Sequence, residues 1–215
     1  MSQNAKYSFA LVFLAVLGGV IFFSLKSGPA NTEVAENPKL IRSDSHMLTT
    51  AEDDRVNLVE FLDFECEACK AQFPIMEQIR EEYAGKINFA IRYFPLSGHG
   101  NAENAAKAVE AASKQDALEE MYKKMYETQG EWGESQDSKA DLFVEYANEL
   151  GLDEGQFVKD VNDPKTAERI AKDQADGNAL GVQGTPTIFL NGEELQSMPP
   201  YELLKEKIDA LLAES

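Results

Sequence analysis

Two cysteines spaced two residues apart, Cys66-Glu67-Ala68-Cys69, are the part of this sequence best equipped for chemistry. At the start of a helix, thiols three positions apart can close into a disulfide and reopen. A sulfur placed there also faces free amide groups and the positive end of the helix dipole, which favours the thiolate. The thiolate is the attacking species in thiol–disulfide exchange, so the first cysteine is the reactive one and the second resolves a mixed disulfide. A structural staple is the bland alternative, but so small a loop restrains the unfolded chain very little. A zinc site is another, with His46 and His99 completing the count. Neither histidine lies at a paired ligand spacing, and no metal is expected.

The elements around the motif alternate as in an α/β sheet domain interrupted by helices. Residues 56–64 carry Val, Leu and Phe on both faces, as a strand covered on both sides requires. A helix is predicted over 67–83, with Phe73, Met76, Ile79 and Tyr83 on one side and Gly85 just beyond its end. The helical period continues past Pro74, so a kink is expected there rather than a stop. A second strand is predicted over 87–94. Helical patterns follow over 101–128 and 141–150, and a third starts at Asp163-Pro164 and runs to about 180. Residues 187–190 read as a strand, Asn191-Gly192 as a hairpin turn, and 193–195 as its partner. Pro199-Pro200 opens a last amphipathic helix. His99, in a loop, and Trp132, in the helical block, are assigned no part in the site.

Twenty Lys and Arg against 38 Asp and Glu leave a net charge of −18. Such a surface repels phosphate backbones and anionic headgroups. No nucleic-acid partner is therefore expected, and membrane attachment must be hydrophobic. Residues 7–25 carry no charge over 19 positions, between Lys6 and Lys26. As a helix they would span roughly 28 Å, close to the thickness of a bilayer core. Residues 1–26 are expected to form an uncleaved transmembrane anchor, the alternative being a removed signal peptide with a weak small-residue site at Gly28-Pro29-Ala30. Either way the rest of the chain lies outside the cytoplasm. Residues 27–48 have the composition of a tether, ending at most in a short edge strand, and the folded unit is expected over 49–215.

Glu60, Cys66, Cys69, Pro74 and Gly184-Thr185-Pro186-Thr187 together resemble the DsbA-like thiol–disulfide oxidoreductases of the thioredoxin superfamily, especially the membrane-tethered bacterial ones. The resemblance covers about 40–213. It implies a thioredoxin fold over 49–98 and 182–215, with a helical insertion over 99–181. It also implies a cis bond before Pro186, packed against the cysteines, with Thr185 offering backbone hydrogen bonds to an extended substrate by strand addition. Glu60 shares a strand face with Leu58 and Leu62. Burial would raise its pKa and suit it to relay a proton for Cys69, and the family places an acid there.

The expected activity is thiol–disulfide exchange on exported proteins, in the direction of oxidising substrate dithiols. No cofactor is expected, and the resemblance implies a quinone-linked membrane partner that reoxidises the cysteines while the anchor keeps the two close. A reductase or isomerase of the same fold, or a redox-silent binding module, are the alternatives. One departure from the family is visible. Its strongly oxidising members carry a histidine just before the second cysteine, where this chain has Ala68, and Cys66 is flanked by Glu65 and Glu67. Those carboxylates are expected to raise the Cys66 pKa and make a milder oxidant.

Overall fold

In a computed structural model that describes residues 39–214, the chain runs β1 (His46–Thr49), β2 (Asn57–Leu62), α1 (Glu67–Glu82), β3 (Asn88–Tyr93), α2 (Ala102–Ser113), α3 (Leu118–Trp132), α4 (Ala140–Glu149), α5 (Glu154–Val161), α6 (Pro164–Leu180), β4 (Thr187–Leu190), β5 (Glu193–Glu194) and α7 (Tyr201–Ala213). The apolar run 7–25, and with it the anchor expected over 1–26, lies outside the described residues. Among those described, no helix is long and apolar enough to cross a membrane.

The strands form one sheet in the order β1-β3-β2-β4-β5. Central β2 pairs in parallel with β3, Leu58 opposite Phe89 and Leu62 opposite Tyr93, and antiparallel with β4. Both faces of β2 are covered, which explains its unbroken apolar run. Leu58 and Leu62 face the larger core, with Met76 and Ile79 of α1 and Leu204 and Ile208 of α7. Val59 and Phe61 face a second cluster with Phe94, Val182 and Phe189. α6 closes that second face, and Gly177 is what lets it approach. A Cβ there would meet the Phe94 ring at 2.7 Å and Phe61 at 3.1 Å.

Three differences from the sequence expectation have physical causes. The helix predicted over 101–128 is two helices, α2 and α3, separated by a turn in which Asp116 adopts φ 60°. No Gly or Pro marks that break. α5 was not expected; Asp153 caps it, accepting the Gln156 amide at 2.6 Å.

Third, the tether boundary at 48 falls inside β1, the edge strand, and the chain is docked from its first described residues. Leu40 and Ile41 pack on the second cluster. Arg92 of β3, fully buried, donates to the carbonyls of Lys39 at 2.8 Å and Leu40 at 2.6 Å. Its other nitrogens reach α6, pairing with Asp173 Oδ1 at 2.5 Å and Asp176 Oδ2 at 2.6 Å. Asp176 also takes the Arg42 guanidinium, whose Nη2 lies 2.5 Å from Oδ1. Burial pushes the Asp176 carboxyl up, but the hydrogen bonds from Arg42 and Arg92 outweigh it and hold the group below the usual carboxylate range. A polar-looking segment is thereby tied to the fold by charges far away in sequence.

Candidate active site

Cys66 occupies the N-cap of α1, with extended dihedrals of φ −70° and ψ 121°. Local bonds put it there: Asp63 Oδ1 accepts the Glu65 amide at 2.8 Å, and the Cys66 amide donates to the Asp63 carbonyl at 3.2 Å. From the helical insertion, Gln129 of α3 donates to the Phe64 carbonyl at 2.6 Å and the Cys66 carbonyl at 3.0 Å. The bend carrying the first cysteine is thus pinned from both sides. Both sulfurs are unbridged; Cys66 is 8% exposed and Cys69 1%. Pro74 sits inside α1, which runs through it without a break.

The Gly184–Thr187 stretch, 119 positions from Cys66 at Thr185, meets it directly. The Thr185–Pro186 peptide bond is cis, and the Cys66 thiol donates to the Thr185 carbonyl at 3.3 Å. Beside it runs an open groove lined by Gln183, Gly184, Thr185, Pro186 and Leu195.

The two thiols differ sharply. Hydrogen bonding from Cys69 brings the Cys66 pKa down to about 5, against the opposing effect of burial. The Thr185 hydroxyl, buried and with no other partner, adds to this, as do the amides of Cys69 and Ala68 at the helix start. Burial drives Cys69 well above a normal thiol, reinforced by its bond to Cys66 and by the nearby Glu60 carboxyl. Glu65 and Glu67 were expected to raise the Cys66 pKa, yet it lies well below that of a normal thiol, because the hydrogen bonds to the sulfur dominate. Glu65 is turned inward, where Oε2 accepts the Asn101 amide at 2.5 Å and Oε1 the Glu134 amide at 3.1 Å. Its charge serves the loops of the insertion, while the bonds aimed at the sulfur decide its ionisation.

Glu60 is 2% exposed, and its Oε2 has no hydrogen-bond partner among the described residues. Burial, with a smaller contribution from the Glu77 charge, lifts its pKa to about 8. The folded carboxyl is therefore neutral at pH 7, whereas in the unfolded chain it ionises above about 4.5. Between those values the unfolded chain binds fewer protons than the folded one, so this group's effect on stability turns unfavourable as pH rises. Glu60→Gln should be more stable than the wild type by about 3 kcal/mol near neutrality, with the difference vanishing near about pH 4. Urea titrations at the two pH values check this; equal midpoints at both would mean that the carboxyl is ionised in the fold.

The structure adds two residues that the sequence reading left out of the site, His99 and the Asp63 it bonds. His99 lines a pocket with Cys66, Glu67, Ala68 and Glu134, and its Nδ1 lies 2.7 Å from Asp63 Oδ2. The available signal was topological: β2 and β3 are parallel, and the loops leaving them emerge at the same edge of the sheet. His46 lies elsewhere, 2.6 Å from Glu110. Trp132 is fully buried at the end of α3 and meets the Phe143 ring edge-on at 5.0 Å.

Known proteins resemble this chain in sequence and in fold. The chain is 28% identical over 195 residues to a Na+/H+ antiporter NhaA of Herminiimonas arsenicoxydans, which accounts for 87% of this chain but only 29% of the antiporter. It is 27% identical over 221 residues to a probable disulfide bond formation protein D of Bacillus cereus, covering 97% of this chain and 98% of that protein. Among solved structures, the thiol-disulfide exchange protein alpha-DsbA2 of Wolbachia pipientis superposes with a TM-score of 0.68 at 25% identity, covering 80% of this chain and 89% of the other. A family model described as thioredoxin matches residues 43–210. The chain therefore belongs to the thioredoxin family, and to its DsbA-like members in particular.

Proposed function

We propose that the chain is a thiol–disulfide oxidoreductase that oxidises the dithiols of exported proteins. The observation that carries this is the asymmetry of the two sulfurs, one held as a thiolate near pH 5 and the other held as a thiol. A stabilised thiolate stabilises the reduced form, which makes the disulfide an electron acceptor.

In the oxidising direction, a client thiolate attacks Cys66 Sγ of the Cys66–Cys69 disulfide. The bond between the two enzyme sulfurs breaks, and Cys69 leaves with the electron pair. Glu60, neutral at pH 7, supplies the proton that Cys69 takes up. A second client thiolate attacks the client sulfur of the mixed disulfide and releases Cys66, a good leaving group because of its low pKa. The client becomes a disulfide and the enzyme a dithiol, two electrons having moved. Thr185 and Pro186 border the groove where an extended client segment would add as a strand. Exchange needs no metal or organic cofactor. A membrane partner that accepts the two electrons restores the disulfide, and the 7–25 segment, as an anchor facing the domain outward, would keep the two close.

Iodoacetamide labelling of the dithiol form should follow a titration with a midpoint near pH 5 and reach Cys66 alone. Labelling that rises only above about pH 8, as for a free thiol, would defeat the reading. Thiol trapping in cells then reads the direction: a resident disulfide supports oxidation, and a resident dithiol a reductase or isomerase.

A further inference from the structure

Because β2 and β3 are parallel, the loops at their C-terminal ends lie side by side. The first carries Asp63 and the second His99. The Asp63 carboxylate is fully buried and committed three times over. Oδ1 accepts the Glu65 amide at 2.8 Å, Oδ2 accepts the Leu96 amide at 2.9 Å, and Oδ2 also faces His99 Nδ1 at 2.7 Å. A carboxylate holding two amides is an acceptor, so Nδ1 is the donor and the ring is fixed in one orientation. Nε2 remains as the nitrogen available to the pocket that His99 shares with Cys66. The His99 side chain is 32% exposed, so it exchanges protons with solvent.

We propose that His99, oriented by Asp63, is a positioning residue for the Cys66 thiolate, its imidazolium supplying from the β3 loop the positive charge that Ala68 cannot supply from within the motif. This rests on the exchange role of Cys66. The groups facing His99 are Asp63 and Glu65 from the β2–α1 junction, Cys66 and Glu67 at the head of α1, and Glu134 after α3. All are acids, and none is a competing cation. Burial opposes the imidazolium, but the Asp63 bond and charge, then the charges of Cys66 and Glu65, raise its pKa on balance. The coupling is reciprocal: ionising Cys66 favours protonating His99, and forming the Cys66–Cys69 disulfide removes that thiolate and releases part of the proton. The charged pair stabilises the dithiol form and makes the disulfide more oxidising.

The first test uses the unaltered full chain. By NMR, the His99 ring should titrate at higher pH in the dithiol form, prepared with dithiothreitol, than in the disulfide form, prepared with oxidised glutathione. The second compares variants by iodoacetamide rate against pH and by glutathione redox titration. His99→Gln should raise the Cys66 pKa so that the thiolate fraction falls roughly tenfold at pH values below it; at pH 7, where the wild-type sulfur is ionised, the same tenfold change is about 30 mV toward a weaker oxidant. The difference should fade as pH rises through the His99 titration. His99→Arg should keep the wild-type thiolate and hold it at alkaline pH too. Identical His99 titrations in the two redox forms, or superposable labelling profiles for His99→Gln and wild type, would overturn the inference. If His99→Gln fails to fold, the NMR comparison decides alone. Neither readout involves a client. Coupled titration without exchange activity would count against the exchange reading only, and exchange activity without coupling against this inference only.

Discussion

Cys66→Ser should reduce disulfide exchange on a reduced client protein to the level of buffer alone. A serine hydroxyl neither ionises near neutral pH nor forms a bond that another thiolate can displace, so no second route remains through this site. Cys69 cannot take over: it is 1% exposed and held well above a normal thiol, chiefly by burial. The companion substitutions sharpen the test. Cys69→Ser keeps a hydroxyl donor where the largest contribution to the low Cys66 pKa arises, but removes the resolving sulfur. Given a client that already holds a disulfide, its Cys66 thiolate should attack one client sulfur and release the other as a thiol, leaving a mixed disulfide visible on a non-reducing gel. Cys69→Ala removes that donor as well, and its Cys66 should be labelled more slowly at about pH 6 than in Cys69→Ser. Turnover surviving in Cys66→Ser would refute the enzymatic account. Undiminished client affinity together with lost turnover in that variant is compatible with it, because the groove beside Thr185 is untouched.

The second large effect concerns the fold. Arg92→Met should cost about 3 kcal/mol of stability, measured as a lower urea midpoint at unchanged slope. The guanidinium is fully buried and answers four groups: two carbonyls of the 39–40 segment, Asp173 and Asp176. Methionine fills similar volume, so the loss reports on charge and hydrogen bonding rather than on a cavity. The two carboxylates keep other partners, Asp173 with Arg169 at 2.5 Å and Asp176 with Arg42, which keeps the cost near the lower end for a broken buried pair. The variant should also become sensitive to proteolysis just before β1, since two bonds to the carbonyls of Lys39 and Leu40 go with the side chain. A change under about 1 kcal/mol would show that the network contributes little beyond replacing hydration.

Much of the site could be read from residue types because its chemistry is local. A cysteine pair at a strand-to-helix junction identifies its own nucleophile, since the helix start and the second thiol lie within three residues of the first. Glu60 could be placed among apolar neighbours by strand alternation alone. The helix start at Asp163-Pro164 and the hairpin at Asn191-Gly192 were likewise legible, each having a residue whose backbone preference marks it. The turn at Asp116 was not. It is a left-handed helix end made at an aspartate instead of a glycine and closed by the Ala117 amide on the Ala112 carbonyl at 3.1 Å, so an alanine-rich pattern runs straight across it.

The charged residues show where a linear reading fails. Glu65 and Glu67 sit beside Cys66 along the chain, and adjacency suggested repulsion of the thiolate. In space Glu65 commits its carboxylate to two amides, and the pocket it lines with the sulfur also holds His99, more than thirty positions further on. Coulomb energy depends on distance and on what screens it, and neither is fixed by separation in sequence. What the chain by itself determined was the reactive motif, the order of the strands and of the helices flanking them, and the acidity of the surface, because these follow from residue type and short-range periodicity. Which hydroxyl and imidazole surround the sulfur, and which arginine ties the segment before the first strand to the sheet, only tertiary structure decided, because those partners are brought together by strand pairing between stretches distant in sequence.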